Sequence, residues 1–178
     1  MPAHRVPAPR FVPAPAPIPA DPAATDHTWP DQWPLRTQLE LAPYDTAPGC
    51  ARAHARAVLR EWGADDDLAE AAELVTSELV TNAVASEQHR GCPDPVRLWM
   101  LGDQGAVLLL IWDATMPAPV RRAATPDAEH GRGLTLVDAL SHRWGFYHPA
   151  GPPGGPPAGK VVWALLRPEA PAPGQFIP

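Results

Sequence analysis

A glutamate and an asparagine four residues apart stand in the segment Glu-Leu-Val-Thr-Asn-Ala-Val, residues 78–84. On a helix that spacing points Glu78 and Asn82 to the same side, at the margin of an apolar stripe. A carboxylate and an amide there are costly to bury unless they are paired or put to use. On spacing alone, a partly exposed glutamate and an asparagine bonded to its neighbours is the simpler account. A second candidate is Asp113, directly after the apolar run Ala106–Trp112. A carboxylate at the mouth of a central strand can accept a hydrogen bond from a ligand, although acids often end strands. The third is His130-Gly131-Arg132-Gly133-Leu134. Two glycines one residue apart before a helix allow close backbone approach, and the free N–H groups at the helix start favour phosphate. An ordinary glycine-rich turn explains them equally well.

Two other patterns carry no chemistry. Asp65, Asp66 and Asp67 read as a helix N-cap with acids favoured by the helix dipole, and Asp67 to Glu70 has capping-box spacing. Gly154 to Lys160 begins like a phosphate-binding loop, G-x-x-x-x-G-K. The required Ser or Thr is replaced by Val161, Pro156 and Pro157 remove two amides, and a strand follows instead of a helix.

The elements that must hold these residues follow from periodicity. Residues 35–41 alternate apolar and polar, as a half-buried strand does. Residues 51–62 read as an amphipathic helix stopped by Gly63. Residues 68–89 form a longer helix whose buried stripe is Leu68, Ala72, Val75, Leu79 and Ala83. Strands are expected at 96–101 and 106–112, joined by Gly102-Asp103-Gln104-Gly105 as a hairpin turn. A Pro- and Arg-rich loop covers 114–130, a short helix 134–140, and strands 143–148 and 161–166. This order is not alternating βαβ, and the tight turn requires antiparallel pairing. The fold class expected is α+β: a two-layer sandwich with a mixed, mostly antiparallel sheet and helices on one face.

Composition sets the limits. Of 26 prolines in 178 residues, ten lie in residues 1–34 and nine in 149–178, leaving seven between. We therefore expect one folded domain over 35–167 between Pro-rich, disordered tails at 1–34 and 168–178. Fourteen basic against 20 acidic residues give a net charge of −6, which argues against a nucleic-acid partner. Two cysteines, Cys50 and Cys92, cannot build a four-thiolate metal site or a disulfide framework. No apolar stretch approaches the ~20 residues of a membrane span, and the N-terminus has no secretory h-region. A cytoplasmic protein with reduced thiols is expected.

Taken together, the motifs resemble a known family. Residues 78–84 resemble the N box of the histidine-kinase-like ATPases, and Trp-Asp-Ala-Thr (112–115) their adenine-contacting box. Gly-Arg-Gly-Leu (131–134) resembles their phosphate box, and Gly-Lys-Val-Val-Trp-Ala (159–164) their final box. The likeness spans about residues 35–167. The short 114–130 segment and Trp144-Gly145 are most similar to the small stand-alone bacterial branch of anti-sigma-factor serine kinases.

The resemblance implies a Bergerat ATP-binding fold with ATP and Mg²⁺ as cofactors. Asn82 would bind Mg²⁺, and Glu78 would orient or deprotonate the attacking hydroxyl. Asp113 would accept the adenine amine. Gly131, Gly133 and Leu134 would serve the phosphates. Arg132 would either neutralise phosphate or face solvent. Thr115, where the broad superfamily has glycine, would lie in the cofactor site. Residues 114–130 would form a lid, with Arg121 and Arg122 as phosphate partners or simply a solvated pair. Ser86 stands where a histidine is frequent, and Lys160 where a threonine is common. The implied function is serine/threonine phosphorylation of a regulatory protein, such as an anti-sigma-factor antagonist, or action on a sigma factor. The alternative is a non-catalytic, anti-sigma-like module with ATP as a structural ligand. A sensor kinase fragment is disfavoured, because no long helix carries a phosphoacceptor histidine. Small members of the family often form homodimers, and the first strand leaves apolar surface for one.

Overall fold

Alternating Leu35, Thr37 and Leu39 against exposed Arg36, Gln38 and Glu40 makes residues 35–41 an edge strand in the computed structural model of the chain. The structure describes residues 33–103, 105–120, 133–149 and 158–167. Its elements are β1 (Leu35–Leu41), α1 (Ala47–Glu61), α2 (Asp66–Gln88), β2 (Val96–Gly102), β3 (Val107–Asp113), α3 (Gly133–Leu140), β4 (Arg143–Tyr147) and β5 (Lys160–Leu166). The five strands run in the order β1-β2-β3-β5-β4. Every described strand pair is antiparallel. The α+β class is as expected. Both proline-rich tails, apart from Trp33, Pro34 and the end of the domain, lie outside the described residues.

Helix boundaries follow local chemistry. α1 starts at Ala47, four residues before the expected start, because Pro48 falls in the first turn, where a missing N–H costs nothing. It ends at Gly63, φ +67°, where Gly63 N donates to Arg60 O and Ala64 N to Leu59 O. These two bonds form a Schellman stop that glycine adopts without strain. The cap of α2 is Asp65, whose Oδ1 accepts from Asp67 N at 3.0 Å, so the 67–70 spacing is not the capping box. In the β2–β3 turn, Asp103 Oδ1 accepts from Gly105 N and Ala106 N, closing the hairpin expected there.

The two faces of the sheet bury separate clusters. On one face Leu98, Met100, Leu109, Ile111 and Ala164 meet Ala51, Ala55 and Leu59 of α1, the α2 stripe, and Leu134 and Val137 of α3. All three helices thus share this face. Burial at about 25 cal/mol per Å² of apolar surface makes this layer the main source of stability. The opposite face gathers Trp33, Trp99, Leu101, Leu108, Leu110, Trp112, Val161, Trp163 and Leu165. β3 is buried along its whole length, as its uninterrupted apolar run requires.

His54 of α1 faces the edge strand, with Nε2 3.3 Å from Thr37 Oγ1. Burial lowers its pKa below the ordinary value of 6.5. The unfolded chain therefore binds a proton more readily than the native protein. Stability is complete above pH 6.5 and falls as the pH drops through that value towards the lower native pKa. A His54→Gln protein is expected to show a shallower loss of stability between pH 7 and 5 in urea titrations.

Candidate functional site

The residues singled out by chemistry converge on α2. Four positions apart on this helix, Glu78 is half-buried and Asn82 exposed. Neither the carboxylate nor the side-chain amide makes a hydrogen bond or ion pair among the described residues. Gly133, the first residue of α3, lies against both. A Cβ built there would come within 2.5 Å of Glu78 Oε2 and 3.6 Å of Asn82 Nδ2. With glycine there, the start of α3 sits directly against the carboxylate, and a Cβ would push the flexible end of Glu78 aside. Leu134, next in the chain, turns into the core and anchors the helix. Gly131, Arg132, Arg121 and Arg122 lie outside the described residues.

Asp113 closes β3 and is 1 % exposed. It pairs directly across the sheet with Lys160, the first residue of β5. Lys160 Nζ donates to Asp113 Oδ1 at 2.6 Å and also to Thr115 Oγ1. Thr115 in turn donates to Oδ1 from both its backbone N–H and its hydroxyl. The three bonds that Asp113 accepts all fall on Oδ1, and Oδ2 accepts none among the described residues. A buried ion pair of this kind holds together only when its remaining bonds are satisfied.

Two residues to which sequence reasoning gave no role of their own lock this end of the site. Glu87 is wholly buried. Its Oε1 accepts from Ala114 N at 2.6 Å, and its Oε2 from Asp94 N and Arg90 Nη1, both at 2.9 Å. α2 is thereby tied to the residue following Asp113. The signal was present: Glu87 lies four residues beyond Ala83, on the same buried stripe. Removing the carboxylate would strip two partly buried backbone donors, Ala114 N and Asp94 N, of their acceptor and leave Arg90 with Asp94 Oδ2 alone. We expect Glu87→Ala to cost about 3 kcal/mol in a urea unfolding titration, and Glu87→Gln less. The second is Gly159, φ +82°, where a Cβ would collide with the Asp113 carbonyl oxygen and lie 2.8 Å from Ala114 Cα.

Along α2 the rise from Asn82 to Glu87 is about 7.5 Å, and from Glu78 about 13.5 Å. One helix therefore carries an open carboxylate and amide beside the glycine start of α3, and a brace beside Asp113. Such an arrangement can hold an elongated ligand with a hydrogen-bonding edge at one end and negative charge at the other. Among the described residues, no cluster of three His, Cys, Asp or Glu side chains could hold a metal alone. Asn82 nevertheless offers an unpartnered amide oxygen, which fits a hard cation that takes its other ligands from phosphate and water. A cavity of about 310 Å³ lined by Trp62, Leu68, Gly102 and Val107 sits at the other end of β3, away from all of these groups. Among the described residues, no helix is long and apolar enough to cross a membrane.

The family model described as histidine kinase-like ATPase domain matches residues 42–155. The fold is similar to the crystal structure of the RsbU and RsbW domains of Rv1364c from Mycobacterium tuberculosis, with a TM-score of 0.54 and 19% identity. That match covers 74% of this chain but 31% of the other, so the chain spans under a third of the matched protein. No curated protein matches the chain.

Proposed function

Because this chain belongs to the histidine kinase-like ATPase family, we propose that it binds ATP with Mg²⁺ along α2 and passes the γ-phosphate to a serine or threonine of a partner regulatory protein. The observation that carries this reading is the seating of Gly133 against Glu78 and Asn82, on the same helix whose Glu87 holds Ala114 beside Asp113. In this arrangement the base lies at the Asp113 end and the terminal phosphate at the Glu78 end.

Each residue has a separate task. The Asp113 carboxylate accepts a hydrogen bond from the adenine amine. Guanine presents a carbonyl at that position and would face the carboxylate unfavourably. Gly133 lets the backbone start of α3 come close to phosphate, where helix N–H groups and the helix dipole favour negative charge. Asn82 would hold Mg²⁺ through Oδ1, and the ion would supply charge neutralisation at the phosphates. Glu78 Oε2 takes the proton of the attacking hydroxyl as its oxygen bonds to phosphorus and the bond to ADP breaks. The resemblance of the motifs to the small anti-sigma-factor serine kinases suggests an anti-sigma-factor antagonist as the class of acceptor.

Calorimetric titration of the purified protein with ATP, with and without Mg²⁺, tests the binding step. Asn82→Ala is expected to abolish the Mg²⁺-dependent part of the affinity. Full Mg²⁺-dependent affinity in that variant would remove Asn82 from the metal site.

A further inference from the structure

Lys160 is more than a counter-ion for Asp113. An ammonium group has three N–H donors and no acceptor. Among the described residues, two of these donors are taken, by Asp113 Oδ1 and Thr115 Oγ1. Lys160 has no other partner there, and its side chain is only 5% exposed. A cationic donor this deeply buried is costly to leave unmade. It stands 2.6 Å from the carboxylate proposed to bind the base. The Asp113–Lys160 pair therefore offers an acceptor and a donor side by side.

The Watson–Crick edge of adenine carries the matching sequence, an amine donor at N6 beside an acceptor at N1. We propose that Lys160 is a specificity-determining residue that donates its third N–H to the adenine N1 while Asp113 accepts from N6. This rests on the reading of the site as an ATP site. It replaces recognition through one atom by recognition through two. The direct cross-strand register of Asp113 and Lys160 fixes the two groups relative to each other. The Gly159 contact with the Asp113 backbone sets the approach of the two strands at that point. Guanine presents a carbonyl and an N–H donor at the same two places, so in this orientation it meets a like group at each.

The test uses the full chain with Mg²⁺ and three nucleotides: ATP, 1-deaza-ATP, which lacks only the N1 acceptor, and GTP. Wild-type protein is expected to bind 1-deaza-ATP about 10- to 100-fold more weakly than ATP, the size of one hydrogen bond to a charged group. GTP should bind no better than 1-deaza-ATP. In Lys160→Met the ratio between ATP and 1-deaza-ATP should collapse to about one. A merely structural lysine would weaken both nucleotides together and leave the ratio intact, which would overturn the proposal. Equal binding of ATP and 1-deaza-ATP by the wild type would also overturn it, while leaving the ATP site standing. GTP binding tighter than ATP would mean that the pair reads the guanine edge instead, and would overturn it as well. Absence of any ATP binding would remove the site itself. If Lys160→Met does not fold, because it strands a buried carboxylate, the wild-type comparison decides alone.

Discussion

Glu78→Gln is expected to lower phosphoryl transfer from ATP by about 10²- to 10⁴-fold, the usual contribution of a positioned general base. Affinity for Mg²⁺-ATP should stay within about threefold, because the substitution removes a proton acceptor and not a binding contact. Glu78 suits this test well. Its carboxylate makes no hydrogen bond or ion pair among the described residues, so no native partner is orphaned by the change. The amide is nearly isosteric, so the close approach of Gly133 to Oε2 is kept. Single-turnover consumption of labelled ATP, with and without a candidate antagonist protein, gives the rate. Unchanged transfer in the variant would end the assignment of Glu78 as base. A wild type that binds ATP and phosphorylates no tested partner would favour the binding module over the kinase.

Gly159→Ala should produce the largest loss of stability of any glycine substitution described here, about 2–5 kcal/mol. Two costs add. A side chain at φ +82° adopts the left-handed region that only glycine enters freely. The new Cβ also has no space, because the Asp113 carbonyl oxygen and Ala114 Cα, both rigid backbone, occupy its place. Relief would require β5 to separate from β3 where Lys160 meets Asp113, so nucleotide affinity should fall along with stability. Gly49→Ala is the matched control. It lies inside α1 with nothing within 4 Å of its Cβ, and should stabilise the helix by about 0.5–1 kcal/mol. Denaturation midpoints of the two variants, measured side by side, check both signs.

How far the sequence could be read depended on the range of the interaction involved. β1, with its strict alternation, was legible to the residue, and β3 and the α2 stripe nearly so, because periodicity records which side faces the core. Helix starts were read less well. Pro48 looks like punctuation in a linear sequence but is a favourable first-turn residue once the helix exists. At the site, Glu78, Asn82 and Asp113 were legible as types and spacings, and family resemblance supplied their roles. The β2–β3 hairpin was legible from its turn, but the pairing of β3 with β5 was not. Lys160 registers as a departure from a threonine pattern until the β3–β5 register sets it opposite Asp113. Gly159 stands in the final-box motif without a role of its own until two strands must touch. Glu87 drew no reading at all, although its place four residues beyond Ala83 on the stripe marks it as buried.

The far face of the sheet has an optical consequence. Four indoles, those of Trp33, Trp99, Trp112 and Trp163, belong to one buried cluster, and Trp112 immediately precedes Asp113 in the chain. Excitation absorbed by any of them can migrate among its neighbours, so the emission of this layer behaves as a collective signal. Because one member of that group adjoins Asp113, the residue proposed to read the base, nucleotide addition is expected to change the tryptophan emission of the opposite face of the same strand, with no dye required.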